Sequence, residues 1–214
     1  SEETANPIAN RETIAKHLVK IIPPGTIVYT HTLSETVLAV LIELHRTSKL
    51  NSVIVTESRP NNDGWVTARH LVEQGLETHL TIDAAMPAAI GRSHMMLSGA
   101  EVINPDGSVV GKIGAYPAAL LCERNQKPVY IIADSNKINN IPWSNITFNK
   151  ITDEAMGLDY SHPLLNITGE YFDVTPARLI DAYVTEKGVI STVEIRSLIS
   201  EMKVSNWLVQ QLTQ

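Results

Sequence analysis

Residues 26–56, TIVYTHTLSETVLAVLIELHRTSKLNSVIVT, decide the fold. Two short runs rich in β-branched residues, Thr26 to His31 and Ser52 to Thr56, flank a segment with helical periodicity, and Ser34 precedes that segment as an N-cap. The apolar residues of the helical segment recur on one face: Val37, Val40, Leu41 and Leu44. A strand, a helix and a second strand in this order predict a βαβ unit with parallel strands.

The same alternation continues toward the C-terminus. Further strand-like runs follow at intervals of roughly 25 residues, namely Thr78 to Ile82, His94 to Ser98 and Val129 to Ala133. Helical patterns separate them, one in DGWVTARHLVEQG, which closes at Gly75, and one from about Gly114 to Arg124. The turn Pro105-Asp106-Gly107 predicts a small hairpin in EVINPDGSVVGK. The chain therefore predicts an α/β fold with a parallel sheet flanked by helices.

The last third of the chain is less regular. Proline, glycine and poor periodicity from Ile138 to Glu170 predict loops and short elements. A helix is expected in TPARLIDAYVT, because Thr175 suits an N-cap and Pro176 the first helical position. A second amphipathic helix is predicted from Thr192. Its apolar stripe would either cover the sheet or meet a second copy of the chain, and comprises Ile195, Leu198, Ile199, Met202 and Leu208.

Composition limits the function classes. The chain has 214 residues, 43% hydrophobic, which suits one large globular domain, and its formal net charge of -6 argues against direct nucleic-acid binding. The sequence has no apolar run of about 18 residues and no signal-peptide pattern, so neither a membrane span nor secretion is expected. The single cysteine, Cys122, is expected in the core and favours a cytoplasmic protein.

Three common site signatures are absent from the sequence. There is no Cys/His cluster with zinc spacing, no GxxxxGK[ST] and no GxGxxG. This excludes a P-loop NTPase and argues against an ordinary dinucleotide dehydrogenase. We expect no metal and no cofactor.

Polar residues follow several of the predicted strands, where open parallel sheets bind ligands. His31, Thr32 and Ser34 come after the first strand, Arg59 after the second, Asp83 after the third, and Gly99 and Glu101 after the fourth. Convergence of these ends at one edge of the sheet makes them candidates for a single site.

Each candidate has a functional and a structural interpretation. Ser34 opens a helix whose free N–H groups suit a phosphate, or it is a plain N-cap. Arg59, held extended by the proline after it, could grip a phosphate or form a surface salt bridge. Lys112 could meet an anion over the sheet edge or remain solvated. Glu101 could be a general acid or base, or it could be structural.

Four segments resemble one known family: residues 30–41, 55–86, 97–134 and 172–190. They are similar to the C-terminal domain of the family that joins the initiation factor 2B alpha, beta and delta subunits with ribose-1,5-bisphosphate and methylthioribose-1-phosphate isomerases. The resemblance extends over Ile14 to Ile190, which is most of the chain.

The resemblance implies a Rossmann-like α/β domain of the ribose-5-phosphate isomerase and CoA-transferase type. Family members usually carry an N-terminal helical domain that resembles a lid over the site. Residues 1–20 are accordingly expected to form an N-terminal helix, the remnant of such a domain, and residues 21–214 the Rossmann-like domain. Because family members usually pair through this domain, a homodimer is also expected.

The resemblance also implies which residues carry chemistry. The isomerase branches have Thr-His-Cys after the first strand and Gly-Ala-Asp after the fourth, and the cysteine and aspartate are the implied acid/base pair that moves a proton between C1 and C2 of a sugar phosphate. This chain has Thr30-His31-Thr32 and Gly99-Ala100-Glu101 instead. A threonine hydroxyl does not easily replace a thiol in proton transfer, because its pKa lies far above neutral.

Two further positions bear on this choice. Glutamate after Gly-Ala is typical of the initiation-factor subunits. Where the isomerases tend to have Asn-Lys before Ile-Gly, Gly111 replaces the asparagine while Lys112 is kept. One ligand contact is therefore expected to be missing, whereas phosphate binding through Lys112 and Arg59 could persist.

We therefore expect an initiation factor 2B-like regulatory or binding protein of translation initiation, with a strand-end pocket for a sugar phosphate or nucleoside monophosphate. The alternative is a sugar-phosphate aldose–ketose isomerase, an intramolecular oxidoreductase, that uses Glu101 with His31 or Asp83. A third interpretation is an assembly module whose pocket is vestigial.

Overall fold

The computed structural model describes residues 7–140 and 150–201, in which helices and strands alternate along the chain. The helices are α1 (Pro7–Ile21), α2 (Glu35–Arg46), α3 (Asp63–Glu73), α4 (Met86–Arg92), α5 (Ala115–Arg124), α6 (Asp153–Met156) and α7 (Thr192–Glu201). The strands are β1 (Thr26–Thr30), β2 (Leu50–Thr56), β3 (Thr78–Thr81), β4 (Met95–Ser98), β5 (Val102–Ile103), β6 (Val109–Lys112), β7 (Val129–Ile132), β8 (Phe172–Thr175), β9 (Ala182–Thr185) and β10 (Gly188–Ile190).

The central sheet has the strand order β10-β9-β7-β4-β1-β2-β3. All its neighbouring strands are parallel except the edge pair β9 and β10. From β1 the chain adds β2 and β3 on one side and then returns to place β4 on the other side. Open parallel sheets bind ligands at such a reversal, beyond the carboxyl ends of the strands.

Helices cover both faces of this sheet, because alternate strand residues face opposite sides. Val28 of β1 packs in the cluster that holds α1, α2 and Leu71 of α3. Its neighbour Tyr29 packs in the other cluster, with α4, α5 and α7. The predicted α/β fold with a mostly parallel sheet is confirmed, and no helix within the two described ranges is long and apolar enough to cross a membrane.

The hairpin predicted around residues 105–107 is also confirmed. Strands β5 and β6 pair antiparallel, and β8 joins β6 to complete a small three-stranded sheet. The second sheet contains two candidate residues, Gly111 and Lys112, at the end of β6, shortly before α5 begins.

The helix predicted from Thr175 is wrong. Thr175 ends β8, residues Ala177–Leu179 form one 3-10 turn, and β9 follows. The capping pattern was present locally, but Tyr183 and Val184 are fully buried on opposite faces of the sheet, and β9 pairs with β7. Burial on both faces, with a β-branched and an aromatic side chain, favours a strand over the local helix signal.

The two terminal helices belong to the core. Helix α1, expected within residues 1–20, spans Pro7–Ile21 and buries Ile14 and Leu18 against the face that α2 covers. Helix α7 begins at Thr192 as predicted, and Ile195 and Ile199 of its stripe are buried in the opposite cluster. Leu198 of the stripe is partly buried against the same cluster, and Met202 and Leu208 lie outside the described residues.

Candidate functional site

A cleft of about 330 Å³ lies at the carboxyl ends of β1, β4 and β7, beside the reversal in strand order. Its walls combine the loop from β1 into α2, the segment after β4, the end of β6 and the segment after β7, and α1 contributes one residue. The lining residues are Arg11, 31–36, Asp63, 98–101, Gly111, Lys112, Ala115, 132–134, Lys137 and Phe172.

The cleft brings together seven of the nine candidate residues that the sequence singled out. These are His31, Thr32, Ser34, Gly99, Glu101, Gly111 and Lys112. The residues after β1 and β4 meet because parallel strand ends converge at one edge of the sheet, and the small antiparallel sheet adds Gly111 and Lys112 from β6.

Arg59 and Asp83 do not line the cleft. The Asp83 carboxylate accepts the backbone N–H groups of Ser58 (2.9 Å) and Arg59 (2.7 Å), and it thereby shapes the loop that leaves β2. The Arg59 guanidinium lies outside the cleft lining and donates to the Met156 carbonyl at 3.0 Å. Asp83 is thus a positioning residue behind the cleft, with Oδ1 4.0 Å from Nδ1 of His31.

His31 is buried and has partners on both ring nitrogens. Nε2 lies 2.7 Å from the Ile113 carbonyl, and Nδ1 lies 2.7 Å from the Thr56 hydroxyl. Because a carbonyl only accepts, Nε2 carries the proton and Nδ1 accepts from Thr56. Burial lowers the pKa of His31 despite these contacts, so the ring is neutral at pH 7. His31 therefore ties β1 to the loop before α5.

Two glycines permit close approach around the cleft. A Cβ on Gly99 would lie 2.7 Å from Oγ of Ser34, where the end of β4 meets the start of α2. A Cβ on Gly114 would lie 2.6 Å from Nε2 of His31, and Gly114 also has φ +104. Both positions require the absence of a side chain.

The Ser34 side chain caps α2, as predicted, by accepting the N–H of Val37 at 3.4 Å. The neighbouring residues Glu35 and Thr36 also line the cleft, so the N-terminal end of α2 faces it. The positive end of a helix dipole favours a negative group in this part of the cleft.

Charges of both signs line the cleft. The three cationic side chains each pair with a carboxylate: Arg11 with Glu35, Lys112 with Asp63 at 3.0 Å, and Lys137 with Glu101 at 3.4 Å. The fourth carboxylate in the lining, Asp134, accepts the side-chain amide of Asn10. The lining therefore has three positive and four negative groups.

Lys112 lies at the inner end of the cleft and is only 11% exposed. Its ammonium contacts Asp63 and lies 5.3 Å from the centre of the Tyr171 ring. The Thr32 hydroxyl donates to the same Asp63 oxygen at 3.4 Å. Asp63 is thus the shared partner of two candidate residues, Thr32 and Lys112.

Asp173, on the small sheet, contacts the start of the helix beside the cleft, and no sequence pattern indicated this residue. Its carboxylate accepts the N–H groups of Gly114 (2.8 Å) and Tyr116 (3.1 Å), and so caps α5, whose own N-cap residue has no side chain. These bonds lower the pKa of Asp173, but burial outweighs them and raises it to about 6.

The raised pKa of Asp173 predicts a particular pH dependence of stability. The folded state holds the proton more tightly than the unfolded state, whose pKa is near 3.8, so this group destabilises the fold as pH rises through that window. We expect the wild-type free energy of unfolding, measured relative to Asp173→Asn, to fall by about 2–3 kcal/mol between pH 4 and 7.5. Urea unfolding of both proteins at several pH values measures this, and a difference that stays constant with pH contradicts it.

Known proteins resemble this chain over most of its length. A family model described as the initiation factor 2 subunit family matches residues 2–192. The chain belongs to this family. The ribose 1,5-bisphosphate isomerase of Methanocaldococcus jannaschii is 31% identical over 182 residues, which are 84% of this chain and 59% of that protein.

Two solved structures share the fold of this family member. The structure of the translation initiation factor eIF-2B of Pyrococcus horikoshii OT3 has a TM-score of 0.76 and 29% identity, and the match covers 86% of this chain and 65% of that one. The structure of 5-methylthioribose 1-phosphate isomerase from the same organism has a TM-score of 0.81 at 21% identity, covering 90% and 58%.

The chain spans about 60% of the length of the curated relatives it matches. Relatives named as translation factors and relatives named as isomerases align over similar lengths and at similar identities. Overall similarity therefore does not distinguish the two functions.

Proposed function

We propose that this family member binds a phosphorylated sugar or a nucleoside monophosphate in the cleft without isomerising it, and acts as an initiation factor 2B-like regulatory protein. The observation that carries the proposal is the chemistry at Thr32. The resemblance puts the isomerase cysteine at this position, and the hydroxyl found there donates to Asp63. A hydroxyl is not a proton-transfer group at neutral pH.

The other candidate acid and base groups also support binding without turnover. Both His31 nitrogens are held by Thr56 and Ile113. The Glu101 side chain is 55% exposed and paired with Lys137. Such a carboxylate is solvated and ion-paired, and it lacks the enclosed setting in which catalytic acids and bases work.

Binding of an anion is supported by the outer part of the cleft. The N-terminal end of α2 faces it, and Arg11 and Lys137 stand near its rim in exposed ion pairs. Exposed pairs of this kind contribute little stability, so a ligand phosphate can displace their carboxylates at small cost. The proposed phosphate contacts are therefore Arg11 and Lys137 rather than Arg59.

A thermal-shift and turnover experiment tests the proposal. Ribose 5-phosphate or AMP at about 100 times its Kd should stabilise the folded chain by roughly 2.7 kcal/mol, whereas free ribose should not. Arg11→Met should weaken binding about tenfold, because a charge-assisted contact is worth roughly 1.5 kcal/mol or more. The same substitution outside the cleft, Arg59→Met, should leave affinity unchanged.

Phosphorus NMR of the same mixtures, and of ribose 1,5-bisphosphate, follows turnover. We expect no conversion above the protein-free rate. Conversion that disappears in Glu101→Gln would establish the isomerase alternative. Absence of binding by every phosphorylated compound would reject the proposed binding function.

A further inference from the structure

The three ion pairs of the cleft differ in exposure. The side chains of Arg11 and Glu35 are 31% and 70% exposed, and those of Lys137 and Glu101 are 41% and 55% exposed. Lys112 and Asp63 are only 11% and 29% exposed. Water screens the two outer pairs but screens the inner pair far less, so the inner pair persists when a ligand enters.

The inner pair occupies one donor of Lys112 and neutralises its charge. An ammonium has three N–H groups, and here one side of it faces Asp63 at 3.0 Å while the Tyr171 ring lies 5.3 Å away. Asp63 cancels the charge of this lysine, so the inner end presents no net positive charge to a ligand. A phosphate placed there would meet the Asp63 carboxylate in a partly buried setting, where like charges repel strongly.

A sugar hydroxyl fits the same corner. A hydroxyl donates one hydrogen bond and accepts others, so it can bridge the Asp63 carboxylate, the Lys112 ammonium and the Thr32 hydroxyl. The two outer cations, by contrast, can exchange exposed carboxylates for a phosphate. The two ends of the cleft therefore suit different parts of a ligand. The rim suits a phosphate, and the inner end at Asp63 suits a hydroxyl group.

We propose that Asp63 is a specificity-determining residue that restricts the cleft to ligands with a single phosphate and excludes bisphosphates. This inference rests on the proposed binding function. The ligands of the cleft are then sugar monophosphates whose hydroxyl groups face Asp63 and Lys112.

Isothermal titration with ribose 5-phosphate and ribose 1,5-bisphosphate tests the role of Asp63. The wild type should bind the monophosphate at least tenfold more tightly. Asp63→Asn keeps an oxygen for Lys112 but removes the charge, so it should raise bisphosphate affinity at least tenfold and abolish the preference. Asp63→Ser should do the same, and it provides the test if the asparagine variant does not fold.

The matched control is Glu73→Gln, which removes one negative charge from the same helix, outside the cleft, where Glu73 pairs with exposed Arg69. It should leave the preference of the wild type intact. A wild type that prefers the bisphosphate, or an Asp63 variant that behaves like Glu73→Gln, overturns the role of Asp63 alone. Binding of neither compound by any variant rejects the proposed function itself.

Discussion

Gly114→Ala is expected to lower the free energy of unfolding by about 3 kcal/mol. Positive φ costs a non-glycine residue about 1–2 kcal/mol, and here φ is +104. The new methyl group would also lie 2.6 Å from Nε2 of His31. The ring has no room to yield, because it is buried and bonded at both nitrogens.

Urea denaturation monitored by circular dichroism measures the effect of Gly114→Ala. The control is Gly91→Ala in α4, where an added Cβ meets nothing within 4 Å. Because alanine favours the helix by up to about 1 kcal/mol over glycine, the control should be neutral or slightly stabilising. A Gly114→Ala variant as stable as wild type would show that the contact between His31 and the loop before α5 is wrong.

His31→Ala is expected to cost about 3–4 kcal/mol. Removal of the ring leaves the Ile113 carbonyl without its partner, at roughly 1–3 kcal/mol. It also removes one of the two side-chain partners of the Thr56 hydroxyl, which still bonds to the Tyr29 hydroxyl. A cavity also forms, since the side chain is fully enclosed. The exposed His70 on α3 bonds only to the Val66 carbonyl of its own helix, so His70→Ala should cost less than about 0.5 kcal/mol.

The pH dependence of His31→Ala provides a second measurement. The folded pKa of His31 lies below its usual 6.5, so the unfolded state binds the proton more tightly. Stability from the neutral ring is complete above pH 6.5 and is lost as pH falls toward the folded pKa. The destabilisation caused by His31→Ala should therefore shrink in acid, and a destabilisation that grows in acid would contradict a neutral buried ring.

The central part of the fold was predictable because its signals are periodic and local. Helix α2 and its two flanking strands follow from the apolar repeat and the Ser34 cap, and the structure confirms them. The strand that follows Thr175 was not predictable. A helix-capping signal of a few residues was outweighed by burial of Tyr183 and Val184 between the two helical layers. Burial of that kind is a property of the assembled sheet.

The candidate site, like the fold, was predictable only in part. Residues directly after β1 and β4 could be placed, since parallel strand ends converge. Arg59 and Asp83 could not be placed from the sequence. The Asp83 carboxylate is held by the N–H groups of Ser58 and Arg59, and the Arg59 guanidinium donates to the Met156 carbonyl, so neither side chain lines the cleft. Arg11 and Asp173 were missed because their contacts join elements distant in sequence: α1 with α2, and β8 with α5.

Asp63 illustrates this limit most clearly. Its position at the start of α3 was visible, but its partner Lys112 lies at the end of β6, in a different sheet. The sequence therefore suggested that Lys112 either contacts an anion or remains solvated, and nothing in it indicated that a carboxylate neutralises this lysine. Only the relative position of the two sheets brings Lys112 against Asp63, the contact from which we infer that the inner end binds a hydroxyl group.

The most direct test of the central claim follows ribose 5-phosphate bound to the wild-type chain by calorimetry and phosphorus NMR in the same sample. We predict saturable binding at one site per chain, weakened about tenfold by Arg11→Met and unchanged by Arg59→Met, with no conversion of the sugar phosphate. Conversion above the protein-free rate would contradict a binding role without catalysis. Binding that survives Arg11→Met but is lost in Arg59→Met would contradict the position of the site.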